Sequence, residues 1–191
     1  MSDTVSEPAQ SMPAELPAIE FQRLYETHAD YVRGLLARLL GPGAEVDDLA
    51  QETFIAAARR AGWREAGIPE RAWLCGIAVQ LARAARRRRR LRSLFGLGPA
   101  LVMPADSTPE SLFESKEASR VVYAALERLS EKRRTVLILF ELQELSGPEI
   151  AAALGCPLAT VKTRLFYARR DLERELSRWS EGEQRRSAQK R

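Results

Sequence analysis

The chain is predicted to be all-α, with two small helical domains on a flexible linker. Three observations predict it. Apolar residues recur at three- and four-residue spacings almost from end to end, whereas no stretch alternates as a strand does. Glycine and proline punctuate these runs at intervals suited to helix ends. One mid-chain stretch, SLFGLGPALVMPADSTPES over 93–111, carries three prolines and two glycines without sustained periodicity, which marks a linker.

The elements follow in order. Residues 1–18 are polar, acidic and proline-bearing, and are expected to be a disordered tail. From Ile19, the residues Phe21, Leu24, Tyr25, Tyr31, Val32, Leu35, Leu36, Leu39 and Leu40 trace a helical face, ended by Gly41-Pro42-Gly43. A second helix starts near Glu45 and is broken at Gly62 and again at Gly67-Ile68-Pro69. A third runs from about Glu70 to Arg92, apolar at Trp73, Leu74, Ile77, Ala78 and Leu81. This first domain spans 19–92.

The second domain spans 112–180. Its first helix carries Val121, Val122, Ala125, Leu126 and Leu129. A helix after Ser130 carries Val136, Leu137, Leu139, Phe140 and Leu142. Two shorter helices follow, and then a polar tail over 181–191.

The totals narrow the function. The chain has 191 residues, 45% of them hydrophobic and 29% charged, a globular balance. A net charge of +4 does not by itself indicate a nucleic-acid partner. Its two cysteines, Cys75 and Cys156, form no CxxC pair, so neither a disulfide framework nor a redox motif is expected. The single histidine, His28, has no neighbouring histidine or cysteine with which to hold a metal, and is expected on a helix surface or packed locally. No cofactor is expected, since no glycine-rich nucleotide loop or metal-ligand cluster occurs. No apolar run reaches the roughly 20 residues needed to span a bilayer. The protein is therefore expected to be cytoplasmic and not membrane-embedded.

Three stretches carry chemistry. The first is LSGPEIAAALGCPLATVKTRLFYARR over 145–170. Ser146 followed three residues later by Glu149 is a capping-box pattern, and Pro148 suits a first turn. Gly155 stops this short helix and Pro157 restarts the chain. Val161, Leu165 and Ala168 then point inward. Thr160, Lys162, Thr163, Arg164 and Tyr167 fall on the other faces. This is helix-turn-helix logic, with small residues Ala151, Ala152 and Ala153 letting two helices approach closely. Lysine and arginine suit phosphates or guanine edges, and threonine suits phosphate or a thymine methyl. An ordinary helical hairpin with a solvated charged face fits the same pattern.

The second is VDDLAQETFIAAAR. Val46, Leu49, Ala50, Thr53 and Ala57 share one face, while Asp48, Gln51, Glu52 and Ile55 line the other. Acidic groups near a helix N-terminus are favoured by its dipole, which explains them without a partner. A protein-docking stripe anchored by Ile55 is the alternative. The third is the arginine run 86–90. Arg83, Arg86, Arg87 and Arg90 form one helical face, self-repelling unless a polyanion relieves it. Upstream, Trp73 is expected in the core and Trp63 exposed.

Taken together, VDDLAQETFIAAAR, then RAWLCGIAVQLARAARRRRR, then the linker, then ALERLSEKRRTVLILFELQELSGPEIAAALGCPLATVKTRLFYARRDLERELS resemble the extracytoplasmic-function sigma factors of bacterial RNA polymerase, over about 19–178. The resemblance implies a dissociable polymerase subunit that selects promoters and promotes initiation. It implies docking on the polymerase clamp helices through Asp48, Gln51, Glu52 and Ile55. It implies that the arginine helix, with Arg83, Arg86, Arg87 and Arg90, faces the −10 element. Thr160, Lys162, Thr163, Arg164 and Tyr167 then face the −35 element. The family's usual inhibitor is an anti-sigma factor, often membrane-anchored. The chain departs from the family pattern at Glu70, where an aromatic is frequent. Gln80 and Ala84 stand in place of an asparagine and an aspartate, and Ala159 in place of a glycine. The rival readings are a stand-alone helix-turn-helix regulator and a helical adaptor that binds no DNA.

Overall fold

The computed structural model describes residues 16–41, 45–60, 67–94 and 113–189. Those residues form seven α-helices and no strand: α1 (Ala18–Leu40), α2 (Glu45–Ala58), α3 (Glu70–Leu94), α4 (Phe113–Arg128), α5 (Glu131–Leu137), α6 (Gly147–Leu154) and α7 (Leu158–Gln189). The expectation for Trp63 lies outside the described residues, as do those for most of the 93–111 linker and of the N-terminal tail.

Helices α1, α2 and α3 pack on one another. Leu24, Val32, Leu35, Leu36, Leu39 and Leu40 are buried as their spacing predicts. Phe21 and Tyr25 pack at the edge, and Tyr25 meets Phe54 edge-on with ring centroids 5.0 Å apart. Gly41 ends α1 with φ +80°, a conformation that costs a side-chain-bearing residue energy. Trp73 packs against this core, as expected. Helix α3 departs from a one-stripe helix. Ala72 and the whole run Leu74 to Val79 are buried, because a second layer covers its other flank.

That layer is the C-terminal domain. Val136, Ile138, Leu139, Leu145, Ile150 and Val161 belong to the same continuous core as α1–α3. The sequence left the arrangement of the domains open; the structure packs them flank to flank along α3. A smaller cluster of Leu126, Leu129, Leu137 and Ala168 joins α4 and α5 to α7.

Four expectations are corrected. Val122 faces solvent at 39% exposure, because α4 is turned to pack Ala125, Leu126 and Leu129. Leu142 is 44% exposed. The helix after Ser130 widens into a π-turn over Ile138–Leu142, closed by Gln143 N donating to Ile138 O at 3.1 Å. The wider turn rotates Leu142 off the face it would share with Leu139 in an α-helix. The last helix is not short: α7 has 32 residues and runs through Gln189, past the expected end at 180. The stretch 181–189 is polar but has no proline, and its Glu, Gln, Arg and Ala residues favour helix whatever their polarity. Finally, α6 uses Ala153 against α3 rather than only against its helix-turn-helix partner: a Cβ on Gly76 of α3 would lie 2.5 Å from Ala153 O.

Candidate functional site

Helix α2 separates its residues as the sequence predicts. Val46, Leu49, Ala50, Thr53 and Ala57 are buried, together with Phe54. Thr53 satisfies its hydroxyl by donating to Leu49 O at 2.7 Å. On the opposite side Asp48, Gln51, Glu52 and Ile55 are all exposed, Ile55 by 50%. They form one outward stripe with an apolar residue among acidic and amide groups.

The helix-turn-helix is built as read. Glu149 N donates to Ser146 Oγ at 3.4 Å, and Ser146 N donates to Glu149 Oε2 at 2.8 Å. The hydrogen bonds from Ser146 hold the Glu149 carboxyl below its ordinary pKa. Gly155 takes the left-handed conformation, φ 58° and ψ 44°, that ends α6. Cys156 N then donates back to Ala151 O at 3.0 Å. Pro157 O accepts from Thr160 N and Val161 N, which starts α7.

On α7, Val161 and Ala168 are buried and Leu165 half-buried. Lys162, Thr163 and Tyr167 are exposed side by side. Arg133 lies over the Tyr167 ring at 5.0 Å and is paired with Asp171 at 2.5 Å, which fixes that ring. Thr160 and Arg164 are half-buried, and Arg164 turns Nη1 towards Cys156 Sγ at 3.8 Å. Phe166, which the sequence reading passed over, is 64% exposed and meets Tyr167 edge-on at 5.4 Å. The signal was present: Phe166 is four residues after Lys162 and three after Thr163, hence on their face.

The arginine helix is divided by the fold. Arg87 and Arg90 are exposed, but Arg83 and Arg86 are half-buried against the C-terminal domain. Arg86 Nη1 donates to Leu39 O at 2.6 Å, and Arg89 Nη1 donates to Leu40 O at 3.1 Å. Both carbonyls belong to the last turn of α1, where acceptors lack intrahelical partners and cations are favoured. Arg89 Nε also donates to Glu45 Oε2 at 2.7 Å, at the start of α2. Two members of the run therefore cap and clamp a helix corner, which relieves their mutual repulsion without a polyanion.

Other polar residues are structural. Cys75 is buried with Sγ 3.4 Å from Tyr31 Oη, and burial pushes its thiol up to about 11. His28 packs locally, Nε2 3.3 Å from Glu70 Oε2. Among the described residues no cluster of three or more His, Cys, Asp or Glu could hold a metal. No helix among them is long and apolar enough to cross a membrane.

Comparison with known proteins agrees with this geometry. The model of Sigma-70 region 2 matches residues 24–92, and that of Sigma-70, region 4 matches 119–172. The chain is 34% identical over 167 residues to the ECF RNA polymerase sigma-E factor of Salmonella typhimurium, covering 82% of this chain and 86% of that one. It is 31% identical over 165 residues to the RNA polymerase sigma-H factor of Pseudomonas aeruginosa, with the same coverage of each. Among solved structures it is similar to CnrH in complex with the cytosolic domain of CnrY, with TM-score 0.61 and 27% identity over 84% of this chain and 90% of that one. The fold is also that of the sigma factor RpoE of Bartonella quintana, solved with the anti-sigma factor NepR, at TM-score 0.60 and 24% identity over 83% of this chain and 97% of that one. The chain belongs to the extracytoplasmic-function sigma factors, which are transcription initiation factors of RNA polymerase.

Proposed function

We propose that this chain recruits bacterial core RNA polymerase to a two-part promoter, with each surface described above taking one part of the task. The outward stripe of α2, Asp48, Gln51, Glu52 and Ile55, docks on the polymerase clamp helices. Its charges set orientation and Ile55 supplies the desolvated anchor. The exposed face of α7, Lys162, Thr163 and Tyr167 with Phe166 added, enters the −35 major groove, with Thr160 and Arg164 flanking it. The arginine helix lies along DNA near the −10 element. There Arg87 and Arg90 reach phosphate directly, and Arg83 and Arg86 do so once freed. Residues 19–92 and 112–180 act as the two modules, joined through 93–111. Polymerase holds them at a fixed spacing, so the second DNA contact becomes effectively intramolecular.

The observation that carries this reading is the separation of α2 into a fully buried and a fully exposed face, in the same chain as a capped helix-turn-helix. The chain performs no covalent chemistry; bond formation belongs to the polymerase. Its place of action is the cytoplasm. An anti-sigma factor is its expected inhibitor, by analogy with the NepR-bound and CnrY-bound relatives. Retention by immobilised core polymerase, followed by run-off transcription, tests the reading. Specific duplex binding without any affinity for core polymerase would instead make the chain a stand-alone regulator.

A further inference from the structure

Three cations follow one another at the start of α5, and the fold sends them to different places. Lys132 is exposed, Arg134 is buried at 5% exposure, and Arg133 is half-buried and turned to α7. Ser130 O accepts from Arg133 N at 3.0 Å, so the backbone under Arg133 belongs to the hydrogen-bonded first turn of the helix. The Arg133 guanidinium covers the Tyr167 ring, 5.0 Å from its centroid, and Nη1 donates to Asp171 Oδ2 at 2.5 Å. Asp171 stands one turn beyond Tyr167 on the same face of α7. Its other oxygen accepts from Arg174 Nη2 at 2.8 Å, so the carboxylate is itself anchored. Phe166 meets the same ring edge-on at 5.4 Å, with the two planes 78° apart.

Tyr167 nevertheless stays 42% exposed. A solvent-facing tyrosine on a helix divides itself mainly between two χ1 wells, the third being rare. Here a guanidinium from another helix lies over the ring and favours one of them. A base pair is read only from the well that reaches it. Affinity for the preferred base pair therefore scales with the population of that well.

We infer that Arg133 and Asp171 are positioning residues for promoter discrimination: Asp171 fixes the Arg133 guanidinium, the guanidinium fixes the Tyr167 ring, and the held ring sets the preference at one base pair of the −35 element. The inference rests on the reading of the exposed face of α7 as the −35 surface. It adds residues that touch no base to the specificity of that surface, one of them from outside the recognition helix. The charge of Arg133 also attracts the DNA backbone, but it does so equally for every sequence. A ratio of affinities between two sequences therefore separates positioning from charge.

The test uses the full chain assembled with core polymerase. The probe is a promoter fragment whose start site the wild-type chain defines, with its −35 element altered one base pair at a time. Preference is the ratio of affinities for the unaltered and the altered fragment. Tyr167→Ala is expected to abolish the preference at one position. Arg133→Met keeps the length of the side chain and loses its charge. It is expected to cut the preference at that same position about two- to three-fold, as the ring spreads from one well to two or three. Asp171→Ala should cut it by a similar factor while raising the affinity for every fragment, because a negative charge leaves the DNA surface. In a Tyr167→Ala background Arg133→Met should change no preference, whereas in a Tyr167→Phe background, which keeps the ring, it should cost the same factor. If Arg133→Met loses its helical circular dichroism, Asp171→Ala carries the test. The inference is overturned if the folded variants shift the affinity for all fragments alike and leave every preference intact. It is equally overturned if they act at a position that Tyr167→Ala leaves unchanged, or act undiminished in the Tyr167→Ala background. These outcomes, with a start site defined, leave the proposed function standing. A chain that defines no start site with core polymerase overturns the proposed function, and this inference with it.

Discussion

His28 and Glu70 join the first and third helices: the imidazole Nε2 lies 3.3 Å from Glu70 Oε2, and Arg23 pairs with the other carboxylate oxygen. Glu70 also stands in the first turn of α3, where a negative charge is favoured by the helix dipole. Partial burial disfavours its charge, but the bonds from Arg23 and His28 outweigh this and hold its carboxyl below the ordinary range. This explains an acidic residue where the family often has an aromatic. Glu70→Ala is expected to cost about 1–2 kcal/mol, since His28 is left buried without its partner. The folded-state pKa is depressed, so the stabilisation is fully present above the unfolded value near 4.3 and lost as pH falls through the folded one. Urea unfolding of both forms at pH 7 and under acid checks it: the gap between them should narrow in acid.

The α6 cap gives a second prediction. Ser146→Ala is expected to destabilise the chain by about 1 kcal/mol, the usual worth of an N-cap hydroxyl. Thermal unfolding would register this as a lower midpoint. Because Ile150 of the same helix lies in the core shared by both domains, the loss should appear in one common transition and not in a separate melting of the C-terminal domain.

Ile55 separates docking from folding. It is half exposed and no part of the core, so Ile55→Ser is expected to change stability by no more than about 0.5 kcal/mol. Affinity for core polymerase is expected to fall about ten-fold, as for an apolar anchor at an interface. Titration of labelled protein with core enzyme reads the affinity, and its melting curve reads the stability. Phe54→Ala, one position away but fully buried, should do the reverse and cost about 3–5 kcal/mol.

Phe166 gives a prediction for DNA. Phe166→Ala removes a side chain that is 64% exposed, so the melting temperature should hardly move. Binding to a promoter fragment should weaken by about 1–3 kcal/mol if the ring meets a base edge or methyl in the groove. Competition with fragments altered only in the −35 element would show that the loss is confined to that element.

Most of the fold was legible because helical periodicity and punctuation are local signals. Leu24, Val32, Leu35 and Leu36 on α1, and the two faces of α2, lie where spacing puts them. The capping box was equally local, two residues three apart. What escaped depended on distant parts of the chain. Gly76 reads as an unremarkable small residue until Ala153 is placed against it. Arg86 reads as one charge in a run until Leu39 O and Glu127 are brought to it. The exposure of Leu142 depends on a π-turn that no spacing rule announces. The helicity of 181–189 was missed for a different reason: a polar stretch was read as a tail beyond the last helix, where helix propensity was high.

The most direct test of the central claim is reconstitution with core RNA polymerase on genomic DNA, mapping the 5′ ends of the transcripts. The account predicts a stoichiometric complex with core enzyme and discrete start sites that share paired upstream elements. Those start sites should vanish when Ile55→Ser weakens docking or Phe166→Ala weakens recognition. A purified, folded chain that forms no complex with core polymerase in the absence of any inhibitor, and yields no start sites beyond those of core enzyme alone, would contradict it.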